Sequence, residues 1–163
     1  MTLGNPAEAD GAPGPPDAAR GGRALVVEDD VVIQNVLADM LRAVGCTVTC
    51  ACNAGEALDA LLAHDFDLIT LDYRLPVLSG VDLYMTLRSA CVDSRTSRGL
   101  EPRKMPPILV VTAWPDEPEV SFLRLCQGVV GVVPKTAGLR GFQAAAAAVL
   151  SGGDMRRPGG ADR

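Results

Sequence analysis

The chain has 163 residues, enough for one domain with a sizeable core and too few for two ordinary ones. Nearly half of it (48%) is apolar, yet no apolar run approaches the roughly 18 residues of a membrane helix, and the N-terminus lacks a signal-peptide layout; a globular cytoplasmic protein away from the membrane is expected. A net charge of -5 argues against nucleic acid as a partner, and five irregularly spaced cysteines fit reduced thiols rather than a disulfide framework.

Residues 1–22 scatter Gly4, Pro6, Gly11, Pro13, Gly14, Pro15, Pro16, Gly21 and Gly22 among alanines. Such a segment buries too little to offset its ordering entropy, so a disordered tail is expected there. Ala24-Leu25-Val26-Val27 then reads as a short buried strand ending on Glu28-Asp29-Asp30. Val32, Ile33, Val36, Leu37, Met40, Leu41 and Val44 follow at helical spacing, with Asp30 as a cap and Gly45 as a stop. Cys46 to Cys52 is a second strand carrying Cys46, Val48, Cys50 and Cys52 on one face, the thiols serving as small hydrophobes. Asn53-Ala54-Gly55-Glu56 resembles a capping box and opens a helix with Ala57, Leu58, Leu61 and Leu62. His64 reads as a solvated residue near its end.

Leu68 to Leu71 is another apolar run, and it stops abruptly on Asp72, with Pro76 soon after. Ser79-Gly80-Val81-Asp82 begins a third helix with Leu83, Met85 and Leu87 facing inward. After Arg88 the pattern dissolves, and residues 92–107, with Arg95, Arg98, Arg103, Lys104 and three prolines, read as an extended, mildly basic loop. Ile108 to Val111 is a buried strand with Thr112 at its tip. Trp114-Pro115-Asp116-Glu117-Pro118 breaks the chain before a short helix from about Pro118 to Cys126. Val129 to Val133 ends in Pro134-Lys135, a final helix is expected from Thr136 to about Leu150, and residues 152–163 read as a second tail.

A strand followed by a helix, five times over, implies a parallel sheet with helices on both faces. Five units suit a flavodoxin-like doubly wound fold with strand order 2-1-3-4-5, in which the first and third strands are neighbours. Glu28, Asp29 and Asp72 would then meet beyond the carboxyl ends of those strands. Carboxylates so close repel one another without a cation, and magnesium suits oxygen ligands of this kind. Thr112 and Lys135, at the fourth and fifth tips, add a hydroxyl and an ammonium able to hold phosphoryl oxygens. The set describes a phosphoryl-transfer site with Asp72 as acceptor.

These residues resemble the receiver domains of two-component response regulators over about residues 23–151. The likeness rests on Val26-Val27-Glu28-Asp29-Asp30, on Asp72 followed by Leu75-Pro76 and Gly80, on Val111-Thr112-Ala113 and on Pro134-Lys135. It implies that Asp72 takes a phosphoryl group from a sensor histidine kinase or a histidine phosphotransfer protein. It implies magnesium held by Asp29, by Glu28 mainly through water, by Asp72 and by the Arg74 backbone carbonyl, with Thr112 and Lys135 on the phosphoryl oxygens. Arg74 and Trp114, two residues beyond Asp72 and Thr112, stand where the family tunes phosphoryl lifetime. The chain departs from the family at Val132, where an aromatic residue is usual, and in the length of segment 92–107.

With about a dozen residues after the last helix, the expectation is a single-domain receiver, not an enzyme acting on other substrates. It would signal to a downstream protein by altered binding, including a possible homodimer, or by passing the phosphoryl group onward. The alternative is a pseudo-receiver that binds proteins without phosphorylation. A haloacid dehalogenase-type hydrolase would want an aspartate where Arg74 stands, and a flavodoxin-like electron carrier would want a hydroxyl-rich first loop in place of Glu28-Asp29-Asp30.

Overall fold

The computed structural model describes residues 22–96, 99 and 104–152, and of residues 92–96 the backbone alone. Five strands, β1 (Arg23–Val27), β2 (Thr47–Ala51), β3 (Leu68–Asp72), β4 (Ile108–Thr112) and β5 (Val129–Pro134), alternate with α1 (Val31–Ala43), α2 (Ala54–Ala63), α3 (Gly80–Thr96), α4 (Pro118–Leu125) and α5 (Gly138–Leu150). The sheet is parallel throughout, in the order β2-β1-β3-β4-β5, a flavodoxin-like doubly wound fold. Both tails lie outside the described residues apart from their inner ends, where the Gly22 carbonyl accepts from Thr47 N at 2.9 Å.

Every residue of β3 and β4 is buried, because each central strand is covered on both sides. One apolar cluster gathers Leu25, Ile69, Leu71 and Val110 beneath α2, α3 and α4; the other gathers Val26, Leu68, Leu109 and Val111 beneath α1 and α5. Burying some thirty apolar side chains in two layers is the main stabilising term, at roughly 1.5–3 kcal/mol for each large one before chain entropy is subtracted.

Local signals fix the helix ends. Asp30 caps α1, its Oδ1 accepting from Val32 N at 2.8 Å and Ile33 N at 3.1 Å. At α2, Asn53 Oδ1 accepts from Glu56 N at 2.9 Å, and Glu56 reaches back to Cys52 N at 2.8 Å, one residue earlier than an ordinary capping box. Gly80 packs hard against the strand it follows: a Cβ there would lie 3.0 Å from the Tyr73 Cα and carbonyl oxygen.

Three expectations are corrected. The loop read from residue 92 does not start there, since α3 continues to Thr96. Tyr84, Leu87 and Cys91 keep its inner face buried, while exposed Arg88 and Ser89 between Leu87 and Cys91 dilute the periodicity. Met85 points outward, about half exposed, one step off the Leu83–Leu87 stripe. The last helix does not start at Thr136. Lys135–Ala137 form a 3-10 turn, and α5 starts only at Gly138, whose φ of 67° favours glycine and marks the break between the two.

Candidate functional site

The register carries the functional side chains to one edge. Val27 pairs with Leu71, so the next residues, Glu28 and Asp72, leave their strands side by side. Asp72 pairs with Val111, which places Thr112 one step further on. Between β4 and β5 the register slips at Ile108/Leu109, so Pro134 rather than Val133 lies opposite Thr112. That slip brings Lys135 to the rim as the first residue past β5.

Glu28, Asp72 and Thr112 are almost wholly buried, whereas Asp29 is open to solvent. Glu28, Asp29 and Asp72 each offer a carboxylate oxygen within 4.8 Å of the others. The Lys135 ammonium lies 2.9 Å from Glu28 Oε2 and 3.2 Å from Asp72 Oδ2, bridging two of the three. Arg74 N donates to Asp72 Oδ1 at 3.2 Å, so both carboxylate oxygens of Asp72 have a partner. Thr112 Oγ1 accepts from Trp114 N at 3.0 Å, which turns the loop after β4 across the tip of the strand.

The electrostatics follow from burial. Desolvation raises the Glu28 carboxyl from 4.5 to about 7, with Asp72 adding to the rise and Lys135 opposing it. Burial alone would depress Lys135, but its pairing with Glu28 and Asp72 outweighs that and raises it. One ammonium cannot neutralise three carboxylates, and burial together with the Asp72 charge leaves Glu28 with a raised affinity for its proton. Such a donor set is completed by a hard divalent cation, which takes oxygen ligands and removes the repulsion. Among the described residues no cysteine or histidine joins a cluster of this kind.

The structure therefore brings Glu28, Asp29, Asp72, Thr112 and Lys135 to one edge of the sheet. Asp30, the third acidic residue of the β1 tip, is engaged in capping α1. Arg74 and Trp114 meet over that edge, with the guanidinium carbon 4.1 Å from the indole centroid. Two participants escaped the sequence. Gln34, buried on α1, donates to the Glu28 carbonyl at 3.0 Å; a polar residue among the inward positions of an amphipathic helix was the available signal. Glu117 pairs with Arg74 at 2.7 Å across 43 residues of sequence, and nothing local marks it. His64 caps the end of α2, its ring edge-on to Phe66, in the connection that leads into the start of β3.

A family model described as the response regulator receiver domain matches residues 24–147. Among curated proteins, a protein-glutamate methylesterase/protein-glutamine glutaminase of Natronomonas pharaonis is 28% identical over 117 residues, 71% of this chain. The chain spans only 29% of that protein's length, and 31% of a Caulobacter vibrioides cell cycle transcriptional regulator. Of solved structures, a CheY-like response regulator receiver domain protein from Methanospirillum hungatei has a TM-score of 0.62 and 25% identity, over 80% of this chain and 94% of that one. The response regulator TrrA from Thermotoga maritima, solved in complex with Mg(2+)-BeF, has a TM-score of 0.59 and 22% identity, over 78% and 97%.

Proposed function

The chain belongs to the response regulator receiver family, and from that premise we propose that Asp72 accepts a phosphoryl group from a phosphohistidine on a sensor histidine kinase or histidine phosphotransfer protein. The observation that carries this reading is the lysine bridge: one ammonium spans Glu28 and Asp72 at the tips of neighbouring strands, beside a third carboxylate. A buried aspartate with a partner on each oxygen and a cation at its side is a poised nucleophile.

In the proposed transfer an Asp72 carboxylate oxygen forms the new bond to phosphorus. The phosphorus–nitrogen bond to the donor histidine breaks, and the imidazole departs with the electron pair. Lys135 faces the incoming charge from one side. Thr112, whose oxygen already accepts from Trp114 N, keeps its own proton for a phosphoryl oxygen. Asp29, Asp72, Glu28 and the Arg74 carbonyl would hold magnesium, which when bound offsets the charge gathered on the transferring group. Arg74 and Trp114, stacked at the rim, shield the acyl phosphate from water. The phosphorylated protein then acts by altered binding to a downstream protein or to a second copy, or by onward phosphotransfer. It catalyses only its own phosphorylation and dephosphorylation.

A pseudo-receiver reading draws on one observation: Val132, half-buried against the core, stands where the family usually has an aromatic residue. Beryllofluoride, an inert phosphoryl mimic, separates the two. Magnesium-dependent binding by the wild type and its loss in Asp72→Asn is the expected result; no binding in either protein would favour the pseudo-receiver.

A further inference from the structure

Arg74 touches the acceptor and a distant helix at once. Its backbone N donates to Asp72 Oδ1 at 3.2 Å, while its side chain stacks on Trp114 and pairs with Glu117 Oε1 at 2.7 Å. Glu117 is the residue from which α4 starts: its carbonyl accepts from Val120 N at 3.0 Å and Ser121 N at 3.1 Å. Its carboxylate does not cap its own helix, and among the described residues its ion-pair partner is Arg74. Its own N–H reaches back to the Trp114 carbonyl at 3.4 Å, closing the β4–α4 turn beneath the stack. The rim beyond β3 and the start of α4 are thus joined through three side chains.

We infer that Glu117 is a positioning residue and that the Arg74–Glu117 pair couples charge on Asp72 to the start of α4. The inference rests on the phosphoacceptor reading. With Asp72 unmodified, Glu117 holds the guanidinium over Trp114. A phosphoryl group on Asp72 adds negative charge and further acceptor oxygens two residues from Arg74, able to take the guanidinium bidentately in competition with the one Glu117 oxygen it now meets. The existing pair is weak enough to exchange, because Arg74 is about half exposed and solvent screens the attraction. Transfer of Arg74 to the phosphoryl oxygens releases Glu117, and with it the turn from which α4 begins.

Trp114 is the only tryptophan of the chain, so its emission reports on the stack directly. The test uses the full chain as wild type, Glu117→Gln and Arg74→Ala, each with and without magnesium and beryllofluoride, with loading followed separately by the fluorine resonance of the bound mimic. Gln at position 117 keeps the backbone bonds that start α4. The expected result is a shift of Trp114 emission on loading the wild type, at least half of that shift already present in unloaded Glu117→Gln, and none on loading Arg74→Ala. A wild type that loads without any shift, or unloaded Glu117→Gln emission matching the unloaded wild type, overturns the coupling and leaves the phosphoacceptor reading standing. A wild type that does not load at all overturns both.

Discussion

A carboxyl group that keeps its proton near neutrality is costly to ionise, and Glu28 is such a group because β1 delivers it into a nearly solvent-free position beside Asp72. Its folded-state value of about 7 lies above the ordinary 4.5, so the folded protein binds this proton more tightly than the unfolded chain. The stability this contributes is fully present below pH 4.5 and is lost as pH rises through about 7. The loss is on the order of 3 kcal/mol if Glu28 alone carries it. In urea titrations without divalent cations, the wild type should lose markedly more stability than Glu28→Gln between pH 5 and 8, and magnesium should shrink that difference. Equal pH slopes in the two proteins would contradict the assignment. The residue was visible in the sequence because an apolar run ended on it. Its raised proton affinity was not, since that depends first on how completely the fold buries it, and then on how closely β3 brings Asp72 to raise it and β5 brings Lys135 to oppose the rise.

The connections after β3 and β4 form a cover that neither makes alone. Gly80 lets α3 start against Tyr73, its N–H donating to the Tyr73 carbonyl at 2.7 Å, so the loop from Tyr73 to Ser79 stays short and keeps Arg74 at the rim. The loop after β4 brings Trp114 beneath it. If this stack excludes water, Arg74→Ala and Trp114→Ala should each shorten the half-life of the phosphorylated protein several-fold, measured as the decay of the adduct after donor removal. An unchanged decay rate in both would remove the shielding role. The tips of β1, β3, β4 and β5 were the most legible features, each closing an apolar run on a polar or charged residue or just before one. The end of α3 was not, because after Leu87 the sequence passes through exposed Arg88 and Ser89 before buried Cys91, which blurs the helical period. Nothing local marks Tyr84 either; its ring is buried and its hydroxyl donates to the Gln127 carbonyl at 2.9 Å, a partner 43 residues away.

At the scale of the molecule, strand order is what turns scattered carboxylates into a site. Placing β1 next to β3 puts the tips of both at the point where connections diverge to opposite faces, the usual ligand position in open parallel sheets. The two apolar clusters pack those tips in place, so the crowding of Glu28, Asp29 and Asp72 is met in part by Lys135, which reaches two of the three, and in part by the raised proton affinity of buried Glu28. This much followed from the alternation of elements in the sequence. The slip in register at Ile108/Leu109 that carries Lys135 to the rim did not, because nothing in Val129-Val130-Gly131 says which residue bulges.

The central claim is that Asp72 carries the phosphoryl group. Intact-protein mass spectrometry after incubation with acetyl phosphate and magnesium, on the wild type and Asp72→Asn, tests it most directly. A single phosphoryl adduct on the wild type, absent from Asp72→Asn and absent when magnesium is chelated, is the predicted result. No adduct on the wild type, or an equal one on Asp72→Asn, would contradict it.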